Sequence, residues 1–394
     1  MMKPFDVAIV GAGPGGSVAA QRLAAAGFHV VLLEKDTFPR DKSCGDGVTS
    51  EGLEVLQRCG LGDWAAGFPV MPALRLSSPG GLILDIPFAR DGEDVVGRLI
   101  PRRLMDALLV QKAVEAGAEL RQNCMVRNVR IDGQQGAMLQ TNNGEVKARL
   151  LILAEGSAGV LGRRLGLTRE GPELSAVRQY LTGDSGPDDR LEIHFQAGIL
   201  PGYNWIFPVG GGRVNIGSGT YTSRVRRGEI NLQRELQRFL ADPITEGRLL
   251  RCEPASAIRG HPLRTQLIDQ RAHAERMLAV GDAAGLVGPF SGVGIAPALR
   301  SGEMAAERAR FALDNGDLSE KGLSGYSREL RAHYQPDARA ARMLRSLLNN
   351  PCRLDALFRR LQKDDDMALL LGHILLHKRS PRLALRLSTL LRLL

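Results

Sequence analysis

The feature that most constrains this chain is Asp6-Val7-Ala8-Ile9-Val10-Gly11-Ala12-Gly13-Pro14-Gly15-Gly16, a buried-strand pattern running into a glycine-rich turn and then a helix. A second apolar strand, Phe28–Glu34, ends in an acid, so the opening reads as a βαβ unit. This is the spacing of a dinucleotide-binding turn. Gly11 permits the tight turn, Gly13 lets the backbone approach a pyrophosphate, and Gly16 lets helix and strand pack closely. Ala12, Pro14 and Gly15 complete the turn. Behind it the helix N-terminus offers unpaired N–H groups and a partial positive charge to phosphates. Glu34, 18 residues beyond Gly16, is placed to accept hydrogen bonds from ribose hydroxyls, with Lys35 beside it. A ligand-free glycine turn would need neither the second strand nor its terminal acid.

At 394 residues the chain can bury a large core and divide into two or three lobes. Five cysteines (Cys44, Cys59, Cys124, Cys252, Cys352) are odd in number and lack CxxC spacing. That argues against a disulfide framework or zinc site and fits a reducing cytoplasm. Met-Met-Lys before an apolar run has the look of a short signal peptide, but cleavage there would destroy the first strand. The net charge of +9 is concentrated: residues 331–394 hold 13 Lys/Arg against 5 Asp/Glu. The remainder is close to neutral, and no aromatic-interleaved basic motif is present, so nucleic acid is not an expected partner.

Further along, Arg98–Gly117 has a helical pattern, with Leu104, Leu108, Leu109 and Ala113 as its apolar face. Short strands are expected at Met125–Ile131, Ala137–Thr141 and Glu145–Ala148, followed by a buried strand at Leu150–Ala154. Leu74–Phe88 alternates around Pro79-Gly80-Gly81 like a hairpin, and Leu191–Phe195, Trp205–Pro208 and Arg213–Gly219 suggest more strands. These are expected to form one antiparallel sheet inserted twice into the nucleotide-binding lobe. The composition past Leu318 is helical. The final stretch Arg382–Leu394 sets Arg382, Arg386 and Arg392 among leucines, either an amphipathic surface helix or a terminal helix packed on its own protein. No run qualifies as a membrane-spanning helix.

Three further segments bear on chemistry: Phe38-Pro39-Arg40-Asp41-Lys42-Ser43-Cys44-Gly45-Asp46-Gly47; Ala154-Glu155-Gly156-Ser157; and Ala279-Val280-Gly281-Asp282-Ala283-Ala284-Gly285, which continues through Pro289-Phe290-Ser291-Gly292-Val293-Gly294-Ile295 into a helix. In this order they resemble the FAD-dependent oxidoreductases of the para-hydroxybenzoate hydroxylase fold. The chain is most similar to the geranylgeranyl reductase family, over about residues 5–310. The first of these segments and Tyr203-x-Trp205-x-Phe207-Pro208 are the most family-specific parts.

The resemblance implies an α/β fold: a Rossmann-like, GR2-type FAD-binding domain, an inserted antiparallel β-sheet substrate domain and a C-terminal helical segment. The expected boundaries are 1–70, 98–165 and 260–317 for the first, 71–97 and 166–259 for the second, and 318–394 for the third. It also implies that Gly281 and Asp282 meet the ribityl and pyrophosphate region of FAD. Gly292, Val293, Gly294 and Ile295 would present amides to the flavin pyrimidine edge, stabilising negative charge there. Arg40, Gly45 and Arg102 match cofactor-contacting positions, and Val126 lies where the backbone meets adenine. Tyr203, Trp205, Phe207 and Pro208 match the aromatic strand lining a lipid tunnel, with an ordinary sheet core as the alternative. Cys44 falls in the cofactor-facing loop, a candidate catalytic thiol as proton donor or, were its pKa lowered, as a redox group; the alternative is a small turn residue. His373 and His377 stand at i, i+4 without a third metal ligand nearby.

Two positions depart from the family pattern. Glu155 replaces the usual Asp of an Asp-Gly pair, and Val293 replaces the Glu common in Gly-Glu-Gly-Ile. The resemblance implies hydride transfer from reduced FAD to an isoprenoid carbon–carbon double bond, with NAD(P)H or another external donor supplying electrons. The expected substrate is a hydrophobic small molecule or lipid. The expected location is cytoplasmic, with the basic C-terminal region as a contact for the inner membrane face or a carrier protein. Loss of Glu at 293 keeps oxygen chemistry on the same scaffold as an alternative, a monooxygenase. Halogenation fits less well, because no lysine lies between Lys42 and Lys112. A non-catalytic flavoprotein docking on a membrane or carrier is the third reading.

Overall fold

The computed structural model describes residues 4–88, 96–168, 171–249, 251–265, 267, 271–347, 349–386 and 389. Five strands run parallel in the order Met277–Ala279, Gly144–Leu153, Phe5–Val10, Val30–Leu33, Glu119–Arg121. The inner ones are apolar on both faces because both faces are covered, as a parallel sheet requires. Gly144–Leu153 is one ten-residue strand where the sequence pattern suggests two. Its first half pairs antiparallel with Gly136–Thr141 and alternates in burial; its second half lies parallel to Phe5–Val10 and is wholly buried. The change in environment midway explains the broken pattern.

Helices Pro14–Ala25 and Ile295–Asp314 pack backbone to backbone. A Cβ on Gly15 would lie 2.7 Å from the Ala298 carbonyl oxygen, and one on Gly302 would lie 2.4 Å from that of Gly15. Both helices begin beyond the carboxyl ends of parallel strands, where open α/β sheets bind ligands. Helix Arg102–Glu115 departs from expectation: its buried stripe is Met105, Leu109, Val110 and Ala113, while Leu104 is 50% exposed. Arg102 and Asp106 occupy inward positions on that stripe, so two charged residues mask its true face in the sequence.

A second sheet has the order Glu253–Pro254, Leu174–Thr182, Arg213–Tyr221, Tyr203–Gly210, Leu191–His194, Ala73–Ser77, Ile83–Pro87, with Arg259–Leu263 also pairing Leu174–Thr182. The hairpin at Pro79–Gly81 is present. The sheet is antiparallel except that Leu191–His194 lies parallel to Ala73–Ser77, the seam where its two insertions join. The chain stays in this sheet through Leu263, beyond the expected limit at 259. Strand Leu174–Thr182, missing from the sequence reading, buries Arg178, Gln179 and Tyr180 in succession, on both its faces, and so lacks an apolar alternation.

The C-terminal part forms helices Glu320–Leu347, Pro351–Leu361 and Asp365–Leu375. Leu354, Phe358, Leu361 and Leu375 share one apolar cluster with Leu74, Leu76, Ile86 and Phe195 of the second sheet. Pro381–Leu385 is a short 3-10 turn; residues 387, 388 and 390–394 of the expected terminal helix lie outside the described residues. Among the described residues no helix is long and apolar enough to cross a membrane.

Candidate cofactor and substrate site

The glycine turn works by crowding on one side and openness on the other. Gly11 has φ +102°, and a Cβ there would sit 2.3 Å from the Ala154 carbonyl oxygen; one on Gly16 would sit 2.0 Å from that of Gly11. At Gly13, by contrast, a Cβ would meet nothing within 4 Å. The helix that follows has Pro14 at its first position, no side-chain cap and no acid in its first turn, so its amides face open space. Ala12 N–H donates to Glu34 Oε2 at 2.9 Å, which fixes the acid against the turn.

That acid belongs to a charged frame. Arg40 reaches Glu34 at 3.3 Å and Asp106 at 3.1 Å, and Arg102 grips both oxygens of Asp106 at 2.7 and 2.8 Å. Burial opposes the Arg102 charge, but the Asp106 carboxylate outweighs it and raises the guanidinium above its ordinary value.

Loop Phe38–Gly47 is pinned to the second sheet by a buried polar network. Asp46, with no solvent exposure, accepts from Arg102 N–H at 3.2 Å, Asn215 Nδ2 at 2.8 Å and the Tyr180 hydroxyl. Asn215 also donates to the Cys44 carbonyl at 2.7 Å and accepts from the Trp205 indole at 3.0 Å. Arg178 bonds Asp41 at 2.6 Å. Burial pushes the Cys44 thiol above its ordinary value although Arg102 pulls the other way. The lowered pKa that a redox or thiolate role requires is therefore not met, and Cys44 keeps its proton. Burial holds Lys42 at about 8 and, with Lys42 and Arg102 as neighbouring cations, His261 at about 3.

On the far side, Asp282 accepts from Ser157 Oγ at 2.7 Å. Glu155, the departure from the Asp-Gly pair, caps the turn Leu161–Arg164 by accepting from the N–H groups of Leu161 at 3.0 Å and Gly162 at 2.7 Å. Loop Gly288–Gly294 corrects one expectation. The Gly292 amide donates to the Gly288 carbonyl and the Val293 amide to Ser291 Oγ, so these two are spent within the loop. Of the four expected residues, Gly294 and Ile295, at the start of helix Ile295–Asp314, keep amides with no acceptor among the described residues.

These parts surround one cavity of about 690 Å³. It is lined by Gly11, Gly13, Pro14, Gly15, Glu34, Lys35, Arg40, Cys44, Gly45, Arg102, Val126, Gly281, Asp282 and Gly292–Ile295, together with Tyr203, Trp205 and Phe207. Three expected residues are not on its wall. Ala12 and Gly16 serve the turn from behind, and Pro208 lies on the opposite face of its strand, since side chains alternate. The apolar end continues through Met71, Ile193, Phe195, Phe290 and, from the C-terminal region, Leu375 and Leu376. Of these only Phe290 stands in a motif of the sequence; chain folding brings the others there. Arg178, Arg259, His261 and Arg345 line the wall too and likewise carried no sequence signal. His373 stacks on Phe88 and His377 bonds Ser291, and no metal-binding cluster is present among the described residues.

The wall suits FAD on physical grounds. The open space at Gly13 accepts phosphate, the buried Nε of Arg40 lacks a partner, and the free amides at Gly294–Ile295 face the same cavity. A pocket of this size with a polar half and an apolar half can take a dinucleotide at one end and a hydrocarbon at the other.

A sequence profile described as "FAD binding domain" matches residues 4–184. A menaquinone reductase of Mycolicibacterium smegmatis is 33% identical over 88% of this chain and 85% of its own length. Digeranylgeranylglycerophospholipid reductase 2 of Methanopyrus kandleri is 31% identical over 93% of both chains. Among solved structures, a geranylgeranyl bacteriochlorophyll reductase-like protein of Thermoplasma acidophilum superposes with a TM-score of 0.82 at 23% identity, covering 98% of this chain and 99% of that one. The flavin-dependent brominase Bmp2 shares the fold at a TM-score of 0.76 and 20% identity, over 97% of each chain.

Proposed function

Because the chain belongs to the geranylgeranyl reductase family of FAD-dependent oxidoreductases, we propose that it reduces carbon–carbon double bonds in the isoprenoid tail of a lipid. FAD, once reduced by NAD(P)H or another external donor, supplies the hydride for such a reaction. The chain's residues have separable tasks. The amides behind Gly13 and Pro14 would hold the pyrophosphate, Glu34 the ribose, and Asp282 the ribityl region. The Gly294 and Ile295 amides would face the flavin's pyrimidine edge, where a helix N-terminus favours negative charge. Cys44, kept protonated by burial, stands on the cavity wall as a proton source.

The single observation that carries the substrate class is continuity of the cofactor space with an apolar chamber. A Cβ on Gly45 would be 3.1 Å from the Phe207 ring, so the cofactor loop abuts the aromatic wall of Tyr203, Trp205 and Phe207. The test is anaerobic mixing of photoreduced holoprotein with a polyprenyl lipid. Reoxidation of the flavin with loss of a double bond supports the reading. Reoxidation that needs oxygen and yields a hydroxylated or halogenated product overturns it in favour of the monooxygenase alternative.

The same reading gives the C-terminal region a peripheral role at an anionic membrane. Helix Pro351–Leu361 packs its apolar side on the chamber cluster while Arg353, Arg359, Arg360 and Lys363 face solvent. Charge reversal of these four should release the protein from anionic vesicles in a sedimentation assay. Unchanged sedimentation removes that role.

A further inference from the structure

Helix Asp365–Leu375 ends in a way that packing does not explain. His377, two residues past its end, has φ +58°, the left-handed conformation that a helix terminus ordinarily gives to glycine. His377 N–H donates to the Ile374 carbonyl at 3.2 Å and Lys378 N–H to that of His373 at 2.8 Å, the bond pattern of a glycine-terminated helix. A side chain in that conformation carries a steric cost that glycine avoids. His377 is also exposed, so burial of its ring does not offset the cost. Strain kept without a packing reason points to what the side chain does.

The ring reaches the loop Gly288–Gly294. His377 Nε2 and Ser291 Oγ share a hydrogen bond at 2.6 Å, and the same Ser291 oxygen accepts the Val293 amide at 3.3 Å. The loop makes room for this ring: a Cβ on Gly288 would lie 2.9 Å from its Nε2 and Cε1. The backbone of the loop is anchored separately. The Tyr203 hydroxyl donates to the Ser291 carbonyl, and Arg345 Nη1 donates to the Pro289 carbonyl at 3.0 Å. Loss of the His377 ring would therefore leave the loop in place and free the Ser291 hydroxyl to turn away from Val293. Leu375 and Leu376, immediately before His377, line the same cavity as Val293.

We propose that His377 is a positioning residue for the flavin: through Ser291 it keeps the Val293 amide turned into its own loop, and so holds the bound flavin at a lower potential, as a stronger reductant. The inference rests on the FAD site described above and not on the identity of the lipid. An amide released toward the cavity would add a donor at the edge where reduction places negative charge, and would favour the reduced state. The strained turn at His377 is the cost of withholding that donor.

The test uses FAD-loaded full-length protein and needs no lipid, so its outcome is independent of the isoprenoid reading. His377→Gly and Ser291→Ala should each raise the midpoint potential of the bound flavin. The expected gain in affinity for reduced over oxidised FAD is about three- to tenfold, which corresponds to roughly 15–30 mV for a two-electron couple. The double variant should match the single ones, because all three remove one contact. His377→Gln, whose amide can still bond the hydroxyl, should recover most of the wild-type value. As apoprotein, His377→Gly should melt no lower than the wild type, since glycine relieves the strained turn. An unchanged or lowered potential in His377→Gly makes His377 a helix cap only and overturns the proposal, as does a double variant whose shift is the sum of the single shifts. If His377→Gly melts lower, the ring also supports the fold, and the potential of Ser291→Ala, which leaves that turn untouched, decides. Wild-type protein that takes up no FAD removes the cofactor site and this inference with it.

Discussion

Nδ2 of Asn215, on the second sheet, donates to the fully buried carboxylate of Asp46 at 2.8 Å. This bond joins the cofactor-facing loop to the substrate wall, because Asn215 also holds the Cys44 carbonyl and the Trp205 indole. Asn215→Leu removes a partner from each. Burial already pushes the Asp46 carboxyl above its ordinary value, so a lost donor is not made good by water. The expected cost is roughly 1–3 kcal/mol of stability, from leaving buried polar groups unsatisfied. Denaturant unfolding of the holoprotein measures it, and a change below about 0.5 kcal/mol would show the network to be dispensable.

Gly13→Val separates cofactor retention from folding. A Cβ at this position meets no protein atom within 4 Å, so the fold should survive, while the larger side chain fills the space beside the helix N-terminus. The variant should purify colourless, with far-UV circular dichroism like the wild type, and should release no flavin on denaturation. Gly11→Val and Gly16→Val differ, since both collide with backbone carbonyls and should not give soluble protein. A yellow Gly13→Val protein would remove the phosphate assignment.

The parts legible in the sequence were those whose chemistry is local. The turn from Gly11 to Gly16 shows itself because each glycine answers a neighbour a few residues away or a ligand. The aromatic strand shows because Tyr203, Trp205 and Phe207 alternate, although the same alternation puts Pro208 on the wrong face for the cavity. The inward face of helix Arg102–Glu115 was hidden because Arg102 and Asp106 satisfy one another inside it. Strand Leu174–Thr182 was hidden for a related reason: Arg178 and Tyr180 are buried against Asp41 and Asp46, residues more than a hundred positions away. Arg345 and Leu376 reach the chamber only because the C-terminal helices fold back over the second sheet, and no local pattern encodes that return.

Cys44 should behave as a slow thiol. Burial raises its pKa, so the thiolate fraction near neutral pH is smaller than for an ordinary cysteine. In a limited iodoacetamide reaction at pH 7.5, read by peptide mass spectrometry, the exposed Cys352 should be alkylated first and Cys44 at least tenfold later. Cys44→Ser should retain FAD, because the sulfur accepts from the Asp46 amide at 3.4 Å and meets the Arg102 guanidinium, contacts that a hydroxyl can also make. Rapid alkylation of Cys44 would restore the redox role that the structure argues against.

Glu303 should govern part of the acid stability. Burial alone would raise its pKa, but hydrogen bonds from Arg58, Arg300 and Arg22 outweigh that and hold it at about 2, against an ordinary value of 4.5. The carboxylate is nearly enclosed while the three guanidinium groups remain a third or more exposed, which screens the interaction. A depressed pKa in the folded state gives stability that is complete above about pH 4.5 and is lost as the pH falls toward 2. Glu303→Gln should therefore cost about 2 kcal/mol at pH 7, after allowance for that screening. The difference between wild type and variant should hold from pH 8 to pH 6, shrink between pH 4.5 and 2, and vanish below. Urea unfolding at a series of pH values measures both proteins, and a difference that stays constant down to pH 2.5 would mean the guanidinium cluster does not stabilise the ionised acid.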